Sequence, residues 1–289
     1  MLADLDLLLI AVFCSADDLL PEKAKNARRS VTDAEVVTVC VAQAIMGITS
    51  DERFLAVAAK RLAHLFPKLP KRPGYHKRRA RLSDVIEALI AEFARHSPGW
   101  EDDLLLIDST PVECGRSLET ARRSQLADAA DYGYCASHSR MFWGFRLHGL
   151  FALDGTPRAL QLTSPKVGER DVCLGLLERV ERHGSVIVVG DKGYAGRDFE
   201  QSAAQLGATI ARPRRKDEAG RGPHLAPIRQ RIESIFQTCK DLLTLERHGA
   251  RTLHGLRARI CSRFLALAAA IALNHRLGRP PRALAAYIA

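Results

Sequence analysis

Two apolar tetrapeptides that each lead into an aspartate constrain the fold of this 289-residue chain most strongly. Residues 104–107 run directly into Asp108, and Val186–Val189 is followed, one glycine later, by Asp191. A run of four apolar residues is typical of a strand that is buried on both faces. Open α/β sheets place their chemistry at the carboxyl ends of such strands. We therefore predict a sheet with two acids at one edge, the first strand ending before a turn at 109–111.

The patterns that follow predict how the sheet is connected. After a polar stretch, the chain alternates between apolar strand patterns and helical periodicity. The predicted elements are strands 142–153 and 158–163, helix 171–182, strand 185–190, helix 197–205, strand 208–212 and helix 227–243. A strand, a hairpin and then strands separated by helices predict a mixed α/β sheet with the ribonuclease H-like arrangement.

The first third of the chain has a different character. Residues 1–97 carry apolar residues at helical spacing, which predicts an all-helical N-terminal region. Ser97, Pro98 and Gly99 break this pattern, so we place a domain boundary there and assign 98–289 to the catalytic domain. The last apolar segment predicts one helix, at about 253–277, that packs on the catalytic domain.

Charge points to a polyanionic partner. The formal net charge is +10 and the isoelectric point is about 9.5, which favours nucleic acid. Between residues 60 and 81 there are nine lysines and arginines and no acid. A solvated helix face is the alternative, but an unrelieved run of one sign costs stability, so we predict phosphate contacts. The residues assigned to DNA binding in this run are Lys71, Arg72, Lys77, Arg78, Arg79 and Arg81.

Composition also bears on location. The seven cysteines are scattered and form no C-x-x-C pair, which is typical of a reducing compartment. The apolar run at 7–13 is preceded by Asp4 and Asp6 instead of a basic segment, so we predict no signal peptide. The later run at 264–273 is too short to span a membrane. We expect a cytoplasmic protein that does not interact with membranes and associates with the nucleoid when bound to DNA.

Helix 227–243 carries a third acid. Glu233 borders its apolar stripe, with Arg229 four residues before it and Lys240 seven residues after it on nearly the same face. Taken alone, this pattern is an ordinary exposed Arg229–Glu233 pair, which contributes about 0.3 kcal/mol. The two strand-end acids make a shared site the stronger interpretation.

Three carboxylates at one sheet edge require a cation. Without one, Asp108, Asp191 and Glu233 would repel each other and titrate abnormally. Hard divalent ions suit oxygen ligands, so we predict Mg²⁺, with Mn²⁺ as a substitute. Two ions roughly 4 Å apart would hold the attacking and leaving oxygens of a phosphodiester displacement. Arg229, Lys240 and Lys192 would then hold flanking phosphates.

Five motifs carry a resemblance to a known family. They are Ile107-Asp108-Ser109-Thr110-Pro111-Val112, Tyr132-Gly133-Tyr134-Cys135, Phe142-Trp143-Gly144-Phe145-Arg146-Leu147-His148, Gly190-Asp191-Lys192-Gly193-Tyr194, and Arg229-x-x-x-Glu233 with Lys240. With these motifs the chain resembles the DDE transposases of bacterial insertion sequences, most closely insertion sequence family 982. The resemblance implies that Asp108, Asp191 and Glu233 form the catalytic, metal-binding triad. One position departs from the related signature, because Ala226 stands where a tyrosine is expected.

The resemblance and the residue chemistry together predict a transposase. We expect metal-dependent strand cleavage at the ends of the element and transfer of the freed 3′-hydroxyl into target DNA. The partners would be double-stranded DNA with terminal inverted repeats, target DNA, and a second copy of the chain during synapsis, although no interface signal is present. The alternatives are a nuclease of the same fold that cuts without joining, and a DNA-binding derivative that has lost catalysis.

Overall fold

A computed structural model describes residues 2–21, 30–135, 139–215, 218 and 225–288. The chain divides into two compact units. The sheet unit is Ser97–Gln237, and the helical unit combines Met1–His96 with Thr238–Ala289. Each is described by itself.

Helices and strands account for most of both units. The helices are α1 Leu2–Leu19, α2 Asp33–Ile45, α3 Asp51–Arg61, α4 Arg72–Arg81, α5 Ser83–Arg95, α6 Leu118–Arg123, α7 Glu169–Arg179, α8 Arg197–Gln205, α9 Ala226–Asp241 and α10 Leu253–Arg276. The strands are β1 Leu104–Gly115, β2 Asp131–Cys135, β3 Arg140–Ala152, β4 Pro157–Thr163, β5 Val186–Val189 and β6 Ala208–Ala211.

The strand order confirms the predicted sheet. The order is β2-β3-β1-β5-β6, and β4 pairs with β3 beside β2. β3 is antiparallel to β1, β2 and β4, whereas β1, β5 and β6 are mutually parallel. The first hairpin is therefore followed by two crossovers that extend the sheet on the other side of β1. This mixed α/β sheet is the ribonuclease H-like arrangement, and helices precede it in the chain.

The central strand β1 is longer than predicted. Instead of ending before a turn at 109–111, it continues through Asp108 and Pro111 to Gly115. Its parallel pairing with β5 covers only residues 104–106, and beyond them β1 pairs with β3 alone. A strand with one paired side tolerates proline, which explains how Pro111 fits within it. Asp108 thus lies just past the end of the β5 pairing, inside a strand.

Alternating side chains build two apolar layers on the sheet. Ile107 and Leu150 belong to a buried cluster with Leu176 and other residues of α7 and α8. Phe151, the next residue along β3, points to the opposite face. There its ring meets Phe236 of α9 edge-on, with centroids 5.5 Å apart. The sheet therefore carries α7 on one face and α9 on the other.

The helical unit is built around α10, contrary to the prediction that this helix packs on the catalytic domain. Buried residues number 18 of its 24, and a helix that is apolar on all sides needs partners on all sides. Its partners are α1, α2, α4 and α5. Exposed Arg257 adds ion pairs with Asp84 and Glu87 of the same unit, at 3.1 Å and 2.5 Å.

Three short elements escaped the sequence analysis. Helix α4 lies in a segment that begins with three prolines, at positions 67, 70 and 73, and it accommodates Pro73 in its first turn, where the missing N–H costs nothing. The polar stretch after β1 contains α6 and the edge strand β2. Among the described residues, no helix has both the length and the apolar character that a membrane crossing would need.

Candidate active site

Asp108 and Asp191 lie at the same edge of the sheet, as the two apolar strands predicted. The Oδ1 atom of Asp108 accepts a hydrogen bond from the N–H of Ser109 at 2.7 Å, and that of Asp191 accepts from Gly193 N–H at 2.7 Å. Both carboxylates are thus oriented by backbone of the turn or strand that follows them. Gly190 precedes Asp191 because a side chain there would press on Tyr194, whose ring lies 2.7 Å from an ideal Cβ position.

The electrostatics of Asp108 mark the site. Burial raises the pKa of Asp108 to about 7, and the nearby charges of Asp191 and Glu169 add to the rise. The hydrogen bond from Ser109 and the charge of Arg229 oppose it. Asp108 therefore has more negative than positive charge near it, and the burial of its carboxylate limits the screening of these charges by water.

Glu169, the first residue of α7, is a third acid near Asp108 that the sequence analysis missed. Arg146 of β3 donates to its carboxylate, and Ser109 Oγ donates to the same oxygen at 2.8 Å. The same guanidinium donates to Ser109 Oγ at 3.3 Å and to the carbonyl of Tyr134 at 3.0 Å. Arg146 thereby links β1, β2, β3 and α7 beside Asp108. No local sequence signal marks Glu169, because its partners are 23 and 60 residues away.

Two buried polar side chains lie close to these acids. His148 pairs with Ser109 across the β1–β3 ladder, and burial lowers its pKa to about 4, so it is neutral near pH 7. Tyr194 is 1% exposed. Burial raises its pKa well above the ordinary value, and Glu169, Asp108 and Asp191 contribute. Its hydroxyl has no hydrogen-bond partner among the described residues.

Glu233 does not join the two aspartates in the structure. It is exposed on α9, one turn after Arg229, whose charge reaches Asp108. Within the described ranges, no three or more His, Cys, Asp or Glu side chains are grouped so that they could hold a metal ion. The structure therefore brings together Asp108 and Asp191 with Arg229 and Glu169 near them, and the place of Glu233 in the triad stays a prediction.

The donor chemistry at this edge fits a divalent cation. Asp108 and Asp191 offer carboxylate oxygens, the ligands that Mg²⁺ and Mn²⁺ prefer. Arg146 is engaged with Glu169, so the repulsion between the two aspartates is left for Arg229 or a bound cation to offset. These two residues could hold the ion, with Glu233 as the predicted third ligand.

The basic residues of α4 fall into two groups. Some are held in ion pairs with acids of other helices, and the others are exposed to solvent. Arg79 is 2% exposed and makes a two-pronged ion pair with Asp51, at 3.1 Å and 3.0 Å. Its assignment to DNA binding is wrong, because a guanidinium buried in this pair cannot reach a phosphate. Arg78 is also largely committed, since it binds Asp33 and the carbonyl of Val31.

The other predicted DNA contacts of this region remain accessible. Lys71 and Lys77 are exposed, and Arg72 makes an exposed contact with Glu52 at 3.3 Å. Arg81 is 58% exposed although it reaches Asp33 at 3.4 Å. A solvent-exposed pair such as Arg72–Glu52 contributes little and can be exchanged for a phosphate. These four residues keep their predicted role as candidates.

The predicted phosphate contacts around the acids differ from one another. Lys192 is exposed next to Asp191. Lys240 belongs to the helical unit, where it pairs with Glu246 at 3.1 Å and is 17% exposed. Arg229 is half-buried and lies within electrostatic reach of Asp108. Arg229 and Lys192 are thus the cations that the structure places beside the two aspartates.

The fold and the site together define a ribonuclease H-like sheet with two acids at its central edge. Comparison with protein families gives the identification. A family model described as the transposase DDE domain matches residues 99–269, more than half of the chain. The chain belongs to the transposase DDE domain family. The matched range contains Asp108, Asp191 and Glu233.

A cryo-EM structure described as a piggyBac transposase synaptic complex with hairpin DNA is similar over 97% of this chain and 75% of that chain, with a TM-score of 0.49 and 9% sequence identity. The search of curated proteins found no match.

Proposed function

We propose that this protein is the transposase of a bacterial insertion sequence, of the group called insertion sequence family 982. It would cleave DNA strands at the ends of the element and transfer the freed 3′-hydroxyl into target DNA. The observation that carries the proposal is the Asp108–Asp191 pair at the central edge of a ribonuclease H-like sheet, in a chain of the transposase DDE domain family.

In this proposal Asp108, Asp191 and Glu233 hold the divalent metal, Mg²⁺ with Mn²⁺ as a substitute, as two ions. When bound, the metal would activate the attacking oxygen and offset charge on the leaving oxygen. The chain's own part is orientation: Ser109 N–H and Gly193 N–H fix the two aspartate carboxylates. Glu233 is exposed on the same helix as Arg229, and in this proposal its carboxylate turns toward the site when the metal binds.

The cations would bind the DNA. Arg229 and Lys192 lie beside the acids and would hold phosphates next to the scissile bond, and Lys240 would do so if it exchanged Glu246 for a phosphate. The exposed group Lys71, Arg72, Lys77 and Arg81, with Arg78 at its edge, would bind the terminal inverted repeats through their phosphates. Synapsis of two ends favours two copies of the chain, so a homodimer is proposed for the synaptic complex. Such a protein would work in the cytoplasm at the nucleoid.

The triad is tested by two charge-removing variants. We expect Glu233→Gln and Asp108→Asn to abolish Mg²⁺-dependent cleavage of DNA that carries the element's ends, while binding of the ends is retained. Glu178→Gln removes an exposed glutamate from α7 and serves as the control that keeps activity. Full cleavage by the Glu233→Gln protein would remove Glu233 from the catalytic triad.

Two measurements separate the proposed function from its alternatives. Pre-cut ends supplied with target DNA should yield joined products, whereas a nuclease of the same fold would leave the ends unjoined. An inactive DNA-binding derivative would bind no metal. Calorimetric titration with Mn²⁺ should therefore give a signal with the unaltered protein that Asp108→Asn weakens.

A further inference from the structure

Three guanidiniums and one carboxylate are buried together in the helical unit. Arg79 of α4 and Arg259 and Arg263 of α10 are 2%, 6% and 5% exposed, and Asp51, at the start of α3, is 8% exposed. Buried charges are normally matched by opposite charge, because removing an unmatched ion from water costs about 5 kcal/mol. Here positive charge exceeds negative charge.

Asp51 is shared by two of the arginines. Its oxygens accept from Arg79 at 3.1 Å and 3.0 Å, from Arg259 at 2.8 Å and from the Gln43 amide at 3.0 Å. The carboxylate is thus surrounded by donors. It compensates one of the three positive charges.

Arg263 binds only neutral oxygens among the described contacts. Its guanidinium donates to the carbonyl and hydroxyl of Thr244, both at 3.3 Å, and to the carbonyl of Arg259 at 2.8 Å. The neighbouring Cys40 thiol and Tyr75 phenol supply no negative charge, because burial raises the pKa of both groups and keeps them neutral. The cluster therefore retains two uncompensated positive charges.

A small cavity lies among these groups. Its volume is about 10 Å³, the room of one water-sized sphere. Its lining includes Arg79, Arg259, Arg263, Gln43, Ser262 and Cys40. The Nε–H of Arg259 is buried and has no acceptor within the described part of the chain. The cavity thus combines an unused donor, a hydroxyl and excess positive charge.

We propose that this cavity binds a single small monovalent anion of the size of chloride. The ion accepts hydrogen bonds from the Arg259 Nε–H and the neighbouring guanidinium and hydroxyl donors, and it cancels part of the excess charge between α2, α4 and α10. A neutral water molecule would satisfy the donor but leave both charges uncompensated. Chloride is larger than a water molecule, so the lining side chains move outward to admit it, whereas phosphate or sulfate would require a much larger displacement. The site is separate from the acids of the sheet unit and stabilises the helical unit.

Thermal unfolding of the full chain in chloride tests the proposal. Sodium chloride is exchanged for sodium gluconate at constant ionic strength, so that general screening stays the same. We expect the melting temperature to rise and then saturate with chloride, by roughly 3 to 6 °C at about ten times the dissociation constant. Arg263→Gln should lose this dependence. Arg257→Gln, which removes the same charge from an exposed position of the same helix, should keep it.

A second measurement does not depend on the stability of any variant. Crystals of the unaltered protein grown in sodium bromide should give an anomalous scattering peak between Arg259 and Arg263. A water molecule without anomalous signal at that place would overturn the proposal. So would a melting temperature that responds equally to chloride and gluconate.

Discussion

At the residue scale, Arg146 contributes most to the candidate active site without being one of its acids. It binds Glu169, Ser109 and the backbone of Tyr134 at once. Ser109 in turn orients the carboxylate of Asp108. A planar fork of donors can bridge these partners, whereas a lysine ammonium cannot reproduce the same geometry. Arg146 is thus a positioning residue for Asp108 and also offsets the charge of Glu169.

We predict that Arg146→Ala lowers the rate of DNA cleavage roughly 10- to 100-fold, the range usual for residues that support metal ligands. Arg146→Lys should fall between this variant and the unaltered protein, because it keeps the charge and loses the fork. The measurement is single-turnover cleavage at saturating Mg²⁺, with end binding measured in parallel. Arg179→Ala, which removes an exposed arginine bound to Gln161, is the control. Equal rates for the Lys and Ala variants would show that geometry, and not charge, is what Arg146 supplies.

Asp51 gives a pH-dependent prediction. Burial alone would raise its pKa, but hydrogen bonds and charge from Arg79, with the charge of Arg259, hold it below the ordinary value. Its ion pairs therefore stabilise the fold fully above the unfolded pKa of about 4, and this contribution is lost as the pH falls through the lower folded pKa. Asp51→Asn should cost about 3 to 5 kcal/mol at pH 7.

The measurement is unfolding in urea at pH 7 and near pH 3. The gap between the unaltered protein and Asp51→Asn should narrow at the lower pH. Asp84→Asn removes an exposed acid that pairs with Arg257, and its effect should stay small at both values. A gap that widens in acid would contradict the depressed pKa of Asp51.

At the element scale, the sequence predicted the features that depend on local residue patterns. Apolar runs located β1 and β5, and with them Asp108 and Asp191, because a doubly buried strand must be apolar throughout. The predicted end of β1 was wrong, because a strand that is paired on one side can continue through Pro111. Helix α4 was not predicted as a separate helix, because its proline and basic residues do not form an apolar pattern with helical spacing.

The rest of the site depends on partners distant in sequence. Arg79 belongs to an unrelieved basic run in the sequence, yet its acid is 28 residues away on α3. Glu169 and Arg146 are likewise brought together by the sheet. The fold class and two acids could therefore be predicted, whereas the division of the cations into buried and available ones could not.

Strand β3 couples the sheet to α9 through one tight contact. Gly149 pairs with Asp108, and a Cβ at this position would lie 2.2 Å from the ring of Phe151. Phe151 packs against Phe236 of the helix that carries Glu233. We predict that Gly149→Ala destabilises the fold by about 1 to 3 kcal/mol and reduces cleavage, because the ring must move.

A second glycine substitution provides the matched control. Gly175 lies inside α7, and the nearest atom to its ideal Cβ position is Gln161 Oε1 at 3.8 Å, an ordinary contact. Gly175→Ala should therefore stabilise the helix by about 0.5 to 1 kcal/mol. Denaturant unfolding measures both variants. Similar effects of both would mean that the Phe151 contact is not what the Gly149 substitution disturbs.

At the scale of the whole molecule, the net charge of +10 favours binding to the polyanion DNA. Part of that charge is internal, since Arg79, Arg259 and Arg263 are buried. Lys71 and Lys77 are exposed on or beside α4 and lie in the segment where basic residues have no acid between them. DNA binding should therefore draw on exposed cations of α4, while the buried arginines act on stability alone.

The salt dependence of end binding distinguishes these two groups. Each phosphate contact contributes about 0.9 to the slope of the logarithm of the binding constant against the logarithm of salt concentration. The double variant Lys71→Gln, Lys77→Gln should thus reduce the slope by roughly 1 to 2 and weaken binding similarly for all duplex sequences. Lys166→Gln, an exposed lysine of the sheet unit, is the control for loss of net charge. If that control changed the slope as much per residue, binding would follow net charge rather than the face of α4.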